Sequence, residues 1–156
     1  MRQRIDLQQY GSSVLKALGG LNAYLAKTSL DKNLLELVNY RVSQINGCAY
    51  CLDMHSKDLR VAGETEQRLY LVSAWREVPL YSDRERAALA WAEAVTKLTN
   101  QEVPDEVYEQ ASAEFSEQEL MELTIAVTAI NTYNRLNVSF RIQAGDYQPG
   151  QWATAH

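Results

Sequence analysis

Apolar residues in this chain recur at intervals of three and four rather than on alternate positions, so the pattern predicts helices throughout and an all-α fold. After the Gly11-Ser12-Ser13 break, Val14, Leu15, Leu18, Leu21 and Leu25 share one stripe of a first helix that ends near Lys27. A second helix runs from about Asp31 through Leu34, Leu35, Val38, Val42 and Ile45. Asn46-Gly47 then supplies the left-handed residue that commonly stops a helix. A third helix carries Cys51, Met54, His55, Leu59 and Val61 to Gly63, and a fourth carries Leu69, Leu71, Val72 and Trp75 before Pro79. Two capping boxes follow, Ser82 with Glu85 and Ser116 with Glu119, each pairing a serine with a glutamate three residues on. The first opens a helix with Ala88, Trp91, Ala92, Val95 and Leu98 on its apolar face, which gives way to a Thr99-Asn100-Gln101 loop. A short helix is expected from Asp105 to Ala113. The second box opens the most apolar stretch, Leu120 to Ile130, which belongs either at the centre of the fold or at a subunit interface.

The 156 residues suit a single domain, 1–156, with no internal repeat or linker and a chemically distinctive core at about 31–95. From Gly145 the periodicity stops, and 145–156 reads as a surface arm. Hydrophobic residues at 46% and charged residues at 22% place the chain with ordinary globular proteins and away from disordered ones. The net charge of −5 has no basic block in it, which argues against nucleic acid or an anionic membrane surface as partner. No apolar run reaches the ~18 residues of a membrane span, and the expected location is cytoplasmic.

Chemistry concentrates in Glu36 to His55, ELVNYRVSQINGCAYCLDMH. A bridge between Cys48 and Cys51 closes almost no loop and so adds little stability, which points to redox or metal chemistry instead. Cys48 lies at a helix start, with Cys51 three residues on and His55 four beyond, so all three share one face. The free amides and dipole of a helix N-terminus favour a thiolate. About a tight corner at Asn46-Gly47, Glu36 and His55 come level to within roughly 3 Å at ~1.5 Å per residue. The expected roles follow: Glu36 orients His55, His55 takes the proton from Cys51, and Cys48 stands beside it. Such a pair can reduce a peroxide through a sulfenic acid and a disulfide, and a bridge exposed at a helix start is open to an external dithiol. Spacing alone leaves open which sulfur attacks, since Cys51 is nearer His55 and Cys48 nearer the solvent end.

The spacing Glu36, Cys48, Cys51, His55, with the flanks NGCAYCLDMHSKDLR and SDRERAALAWAEAVT, resembles the AhpD-like alkylhydroperoxidases of the carboxymuconolactone decarboxylase family. The likeness covers roughly Glu36 to Val95. It implies Cys51 as the cysteine oxidised by peroxide, Cys48 as its disulfide partner, and Glu36 with His55 as a proton relay. It also implies a hydroperoxide substrate, an external dithiol reductant such as a lipoyl or thioredoxin-like protein, no metal or organic cofactor, and assembly into homotrimers or homohexamers. The chain departs from the peroxiredoxin-reducing members at Tyr50, where they carry a histidine. A phenol with a reference pKa near about 10 is a poor shuttle at neutral pH, and Tyr50 is the candidate for that relay position.

Two other readings use the same residues. A non-redox lyase or isomerase would employ Glu36 and His55 as acid and base, and a zinc or interaction protein would take Cys48, Cys51 and His55 as ligands with Glu36 completing four. The other histidine, His156, reads as a chain end. Asn131, Asn134 and Arg135 close the apolar helix and read as capping or interface groups. Trp75 and Trp91 read as packing, since they lie on aliphatic stripes.

Overall fold

In the computed structural model, which describes residues 2–151, the helices are α1 (Leu7–Tyr10), α2 (Ser12–Leu25), α3 (Lys32–Asn46), α4 (Ala49–Val61), α5 (Glu66–Leu71), α6 (Asp83–Lys97), α7 (Asp105–Glu114) and α8 (Glu117–Phe140). Two 3-10 segments, Val72–Glu77 and Thr99–Gln101, join them, and no strand occurs among the described residues.

The three long helices α3, α6 and α8 pack against one another. Val38 and Val42 of α3, Ala88 and Ala92 of α6, and Leu123 and Val127 of α8 are fully or almost fully buried in their common core. Each fully buried leucine or valine adds about 1.5–3 kcal/mol over an exposed one. α4 folds back on α3 and also meets α8, α7 lies along α6, and α2 rests on α8. The Leu120–Ile130 stretch thus sits at the centre of the fold, although Met121 projects outward, 59% exposed. Both capping boxes are formed, with Ser82 and Ser116 accepting from the amides of Glu85 and Glu119.

The fourth predicted helix is shorter than its periodicity suggests. It ends as α5 at Leu71 and tightens into a 3-10 segment kinked at Ala74. The cause lies in α6: Arg86 donates to the carbonyls of Trp75, Arg76 and Val78, and Glu93 accepts from the Trp75 indole and the Arg76 guanidinium. These distant polar partners satisfy backbone and side chains that a continued α-helix would have to satisfy itself. Trp75 and Trp91 are both buried, and each also spends its indole N–H, on Glu93 and Thr124 respectively.

The tail also departs from expectation. Residues 145–151 do not stand away as an arm; Tyr147 is buried and its hydroxyl donates to the Asp58 carboxylate at 2.9 Å. Lys57 donates to the carbonyls of Gly145 and Tyr147 and to Asp53, and the Gly145 amide donates to Asp53. The tail is therefore strapped to α4, the helix that carries the cysteines. A lack of periodicity marks it as non-helical, and the buried tyrosine decides where it lies. His156 falls outside the described residues.

Candidate active site

The corner between α3 and α4 is built by hydrogen bonds that the sequence Asn46-Gly47-Cys48 makes possible. Gly47 adopts φ 65°, ψ 33°, a left-handed conformation that costs glycine nothing. Its amide reaches the Gln44 carbonyl, and the Cys48 amide reaches the Ser43 carbonyl at 3.0 Å, the pair of bonds of a Schellman motif. Cys48 then changes role within one residue and becomes the N-cap of α4, with its sulfur accepting from the Cys51 amide at 3.4 Å. The closing residue of one helix is thus the opening residue of the next, and a sulfur is set at an N-terminus where a negative charge is favoured.

Asn46 fixes the corner from the other side. Its amide donates to the side-chain oxygens of Asn131 and Asn134 on α8, both at 2.9 Å, and Asn134 in turn donates to Ser43. Asn131 and Asn134 consequently tie α8 to α3. Arg135 donates to Asn131 and reinforces the same tie.

On this corner, Cys48 and Cys51 are joined as a disulfide, with their Cα atoms 5.4 Å apart. Glu36 Oε2 meets His55 Nδ1 at 2.7 Å, as the level positions on the two helices predict. An ionised Glu36 selects the tautomer with hydrogen on Nδ1 and leaves Nε2 with its lone pair. His55 Nε2 is buried and has no hydrogen-bond partner among the described residues. This open imidazole nitrogen belongs to the face of α4 that carries Cys51, one turn away. The Glu36 side chain is 34% exposed and the His55 side chain 6%, so the acid reaches solvent while the base does not.

One expectation is overturned. The sequence places the bridge at an exposed helix start, yet each cysteine is only 1% exposed. Both sulfurs belong to the core cluster, where Leu25 of α2 and Tyr50 are among the partly buried groups packed against it. Tyr50 is half-buried there. Among the described residues, no three His, Cys, Asp or Glu side chains converge as a metal-ion site. The four motif residues are instead committed in pairs, sulfur to sulfur and carboxylate to ring.

Sequence reasoning missed three neighbours of this site. Asn137 of α8 donates its amide to Cys51 Sγ at 3.3 Å. Asp58, one turn beyond His55 on α4, is held by Tyr147. Burial pushes its carboxyl above the ordinary value, against the Tyr147 hydrogen bond, and the charge of Glu36 pushes the same way. Burial likewise pushes the Tyr147 hydroxyl well above the usual phenol value, as does its bond to Asp58. The available signal for Asn137 is its place three residues beyond Asn134, on the same face of α8.

A helical hairpin bearing a Cys48–Cys51 disulfide beside a carboxylate–imidazole pair defines the class of protein. The model of the Carboxymuconolactone decarboxylase family matches residues 13–94, and the chain belongs to that family. It is 37% identical over 139 residues to the uncharacterized protein YdfG of Bacillus subtilis, covering 89% of this chain and 95% of that one. A solved structure from Agrobacterium tumefaciens, of a protein of unknown function described as a candidate antioxidant defence protein AhpD, is similar with a TM-score of 0.89 at 40% identity; the match covers 94% of this chain and 100% of that chain. The alkyl hydroperoxide reductase AhpD of Mycobacteroides abscessus is 42% identical over 45 residues, 29% of this chain and 26% of that protein. The fold is AhpD-like.

Proposed function

We propose that this protein is a thiol-dependent hydroperoxidase whose working groups are Cys51, Cys48, His55 and Glu36. The observation that carries the reading is the pairing itself: two joined sulfurs at a helix start, beside an imidazole held at 2.7 Å by a carboxylate with its other nitrogen open. In the reduced protein, His55 Nε2 takes the Cys51 proton. The Cys51 thiolate attacks one oxygen of the hydroperoxide; an S–O bond forms, the O–O bond breaks, and the alkoxide leaves with a proton as an alcohol. Cys48 then attacks the sulfenic sulfur, the S–O bond breaks, and water departs with the second proton as the disulfide forms. An external dithiol, of lipoyl or thioredoxin-like type, attacks Cys48 Sγ, releases Cys51 as a thiolate and resolves the mixed disulfide with its second thiol. Tyr50, half-buried against the core cluster that holds both sulfurs, is the candidate to pass protons. Because exchange needs access to a sulfur, the burial of both cysteines makes an opening movement part of the reductive step.

Titrating the reduced protein with one equivalent of hydroperoxide tests the cycle. Two thiols per chain are expected to disappear together and to return with dithiothreitol, at a rate that saturates with dithiothreitol concentration because opening limits it. Retention of both thiols in the presence of excess peroxide rejects the reading.

Assembly into a trimer or hexamer belongs to the same proposal. It is supported by α2, an apolar helix without one fully buried residue, which leaves Val14 and Tyr24 exposed, and by the outward Met121. Light scattering of the protein in solution is expected to give a multiple of 17.7 kDa, and a mass of one chain counts against it. No helix among the described residues is long and apolar enough to cross a membrane.

A further inference from the structure

We propose that Asn137 is a further catalytic residue of this site, its side-chain amide serving as the hydrogen-bond donor to the Cys51 sulfur in both halves of the thiol cycle. The inference rests on the thiol-cycle reading and assigns a role to α8 that the motif on α3 and α4 does not contain.

The two sulfurs of the bridge have different donors. Cys48 Sγ accepts from a backbone amide, that of Cys51, at the start of α4. Cys51 Sγ accepts from Asn137 Nδ2 at 3.3 Å, across 86 residues of sequence. The first bond follows from the N-cap position and would form with many N-cap side chains. The second requires a particular side chain brought from another helix. Asn137 is half-buried one turn from the C-terminus of α8, and that end is tied down. Arg4 donates its amide to the Phe140 carbonyl and its guanidinium to the Ser139 carbonyl. At the other side, Asn131 and Asn134 fasten α8 to the Asn46 corner. The donor is thus held on both sides before any substrate arrives, which is the preorganisation that makes a hydrogen bond to a developing charge effective.

The balance of the cycle shows when that charge is present. Cys51 carries a negative charge as it attacks the peroxide oxygen, loses it in the sulfenic acid, and regains it when the dithiol attacks Cys48 and breaks the bridge. A donor fixed on Cys51 Sγ therefore lowers the barrier to thiolate formation before peroxide attack and improves Cys51 as the leaving group in reduction. It also resolves the asymmetry left open by spacing, because it favours Cys51 as nucleophile and leaving group and leaves Cys48 as the sulfur the reductant strikes. Cys48, the N-cap of α4, is bonded to Cys51, His55 lies four residues along the same helix with Glu36 of α3 acting through it, and Tyr50 packs against the core cluster that holds both sulfurs. Arg135 of α8 is committed to Asn131.

The test uses the full chain with Cys48→Ser, so that Cys51 is the one remaining thiol, and follows the ultraviolet absorbance of its thiolate against pH. Asn137→Leu removes the donor at similar volume, and Asn137→Asp keeps the shape while placing a like charge at the sulfur. Relative to Cys48→Ser alone, the titration midpoint is expected to rise by about one unit with leucine and by more with aspartate. With both cysteines present, Asn137→Leu is expected to lose about tenfold in peroxide turnover at neutral pH and to recover as the pH rises. A role confined to packing would lower turnover equally at all pH values and leave the midpoint in place. An unshifted midpoint in both variants overturns the inference. Absence of peroxide turnover in the parent protein would remove the thiol-cycle reading, while the absorbance titration still decides whether Asn137 stabilises the Cys51 thiolate.

Discussion

Cys51→Ser is expected to abolish hydroperoxide turnover, with kcat/KM falling roughly a thousandfold or more, because a serine hydroxyl is neither ionised nor oxidisable under the same conditions. Cys48→Ser has a different signature. Cys51 still attacks the peroxide, so one equivalent is consumed in a single burst, but the sulfenic acid finds no partner thiol and the cycle halts. Mass spectrometry of the burst product should give one added oxygen on Cys51 in this variant, against the loss of two hydrogens in the parent. The alternative acid–base reading makes the opposite prediction. Glu36 and His55 form their contact without help from either sulfur, so a lyase or isomerase built on them would keep its activity in Cys51→Ser. A peroxide-consuming Cys51→Ser protein would defeat the sulfur mechanism outright.

The site was legible where its geometry is local. Gly47 fixes the corner, and once the corner is fixed, helical rise alone sets Glu36 level with His55. The N-cap placement of Cys48 follows in the same way. The exposure of the bridge was not legible, because it depends on what packs over the corner. Nothing within the motif announces that Asn137 lies over Cys51, or that Leu25 and Tyr50 pack against the same core cluster. Capping boxes and apolar stripes report neighbours a few residues apart, whereas Asn137 and Leu25 come from other helices and the packing of Tyr50 depends on how its helix is rotated.

The same division explains the fold. Helices α2 and α7 follow from their own periodicity, and α3, α6 and α8 from periodicity and side-chain caps, whereas the break after Leu71 is imposed by Arg86 and Glu93, which the local pattern of α5 does not contain. The tail was readable as irregular but not as docked, because a single buried tyrosine meeting Asp58 across 89 residues determines its position. Glu93 is the most instructive case. Set among Ala90, Ala92 and Ala94 it carries a weak signal of burial, yet a lone glutamate on a helix usually reads as a solvated charge.

In the structure Glu93 is buried and accepts from Arg41 at 2.7 Å, Trp75 at 3.0 Å and Arg76 at 2.7 Å, so one carboxylate joins α3, α6 and the 3-10 segment. Burial alone would push its carboxyl up, but the bonds from Arg76, Trp75 and Arg41 outweigh that and hold it below the ordinary carboxylate value. Glu93→Leu is expected to destabilise the fold by about 3–5 kcal/mol, because it strands the largely buried Arg41 guanidinium and the Trp75 indole. For a chain of this size that corresponds to a fall of about 10 °C or more in Tm. Glu93→Gln keeps an acceptor oxygen and should cost less, and the acid dependence separates charge from packing. A carboxyl whose folded pKa is depressed contributes stability that is fully present above its unfolded value, about 4.3, and lost as the pH falls through the folded value. The gap in Tm between the parent and Glu93→Gln is therefore expected to be widest near neutrality and to narrow in acid, as the parent carboxylate takes up its proton. Thermal unfolding followed by circular dichroism between neutral and acidic pH measures both effects. A gap that stays constant would mean that the three donors hold Glu93 by shape and not by charge.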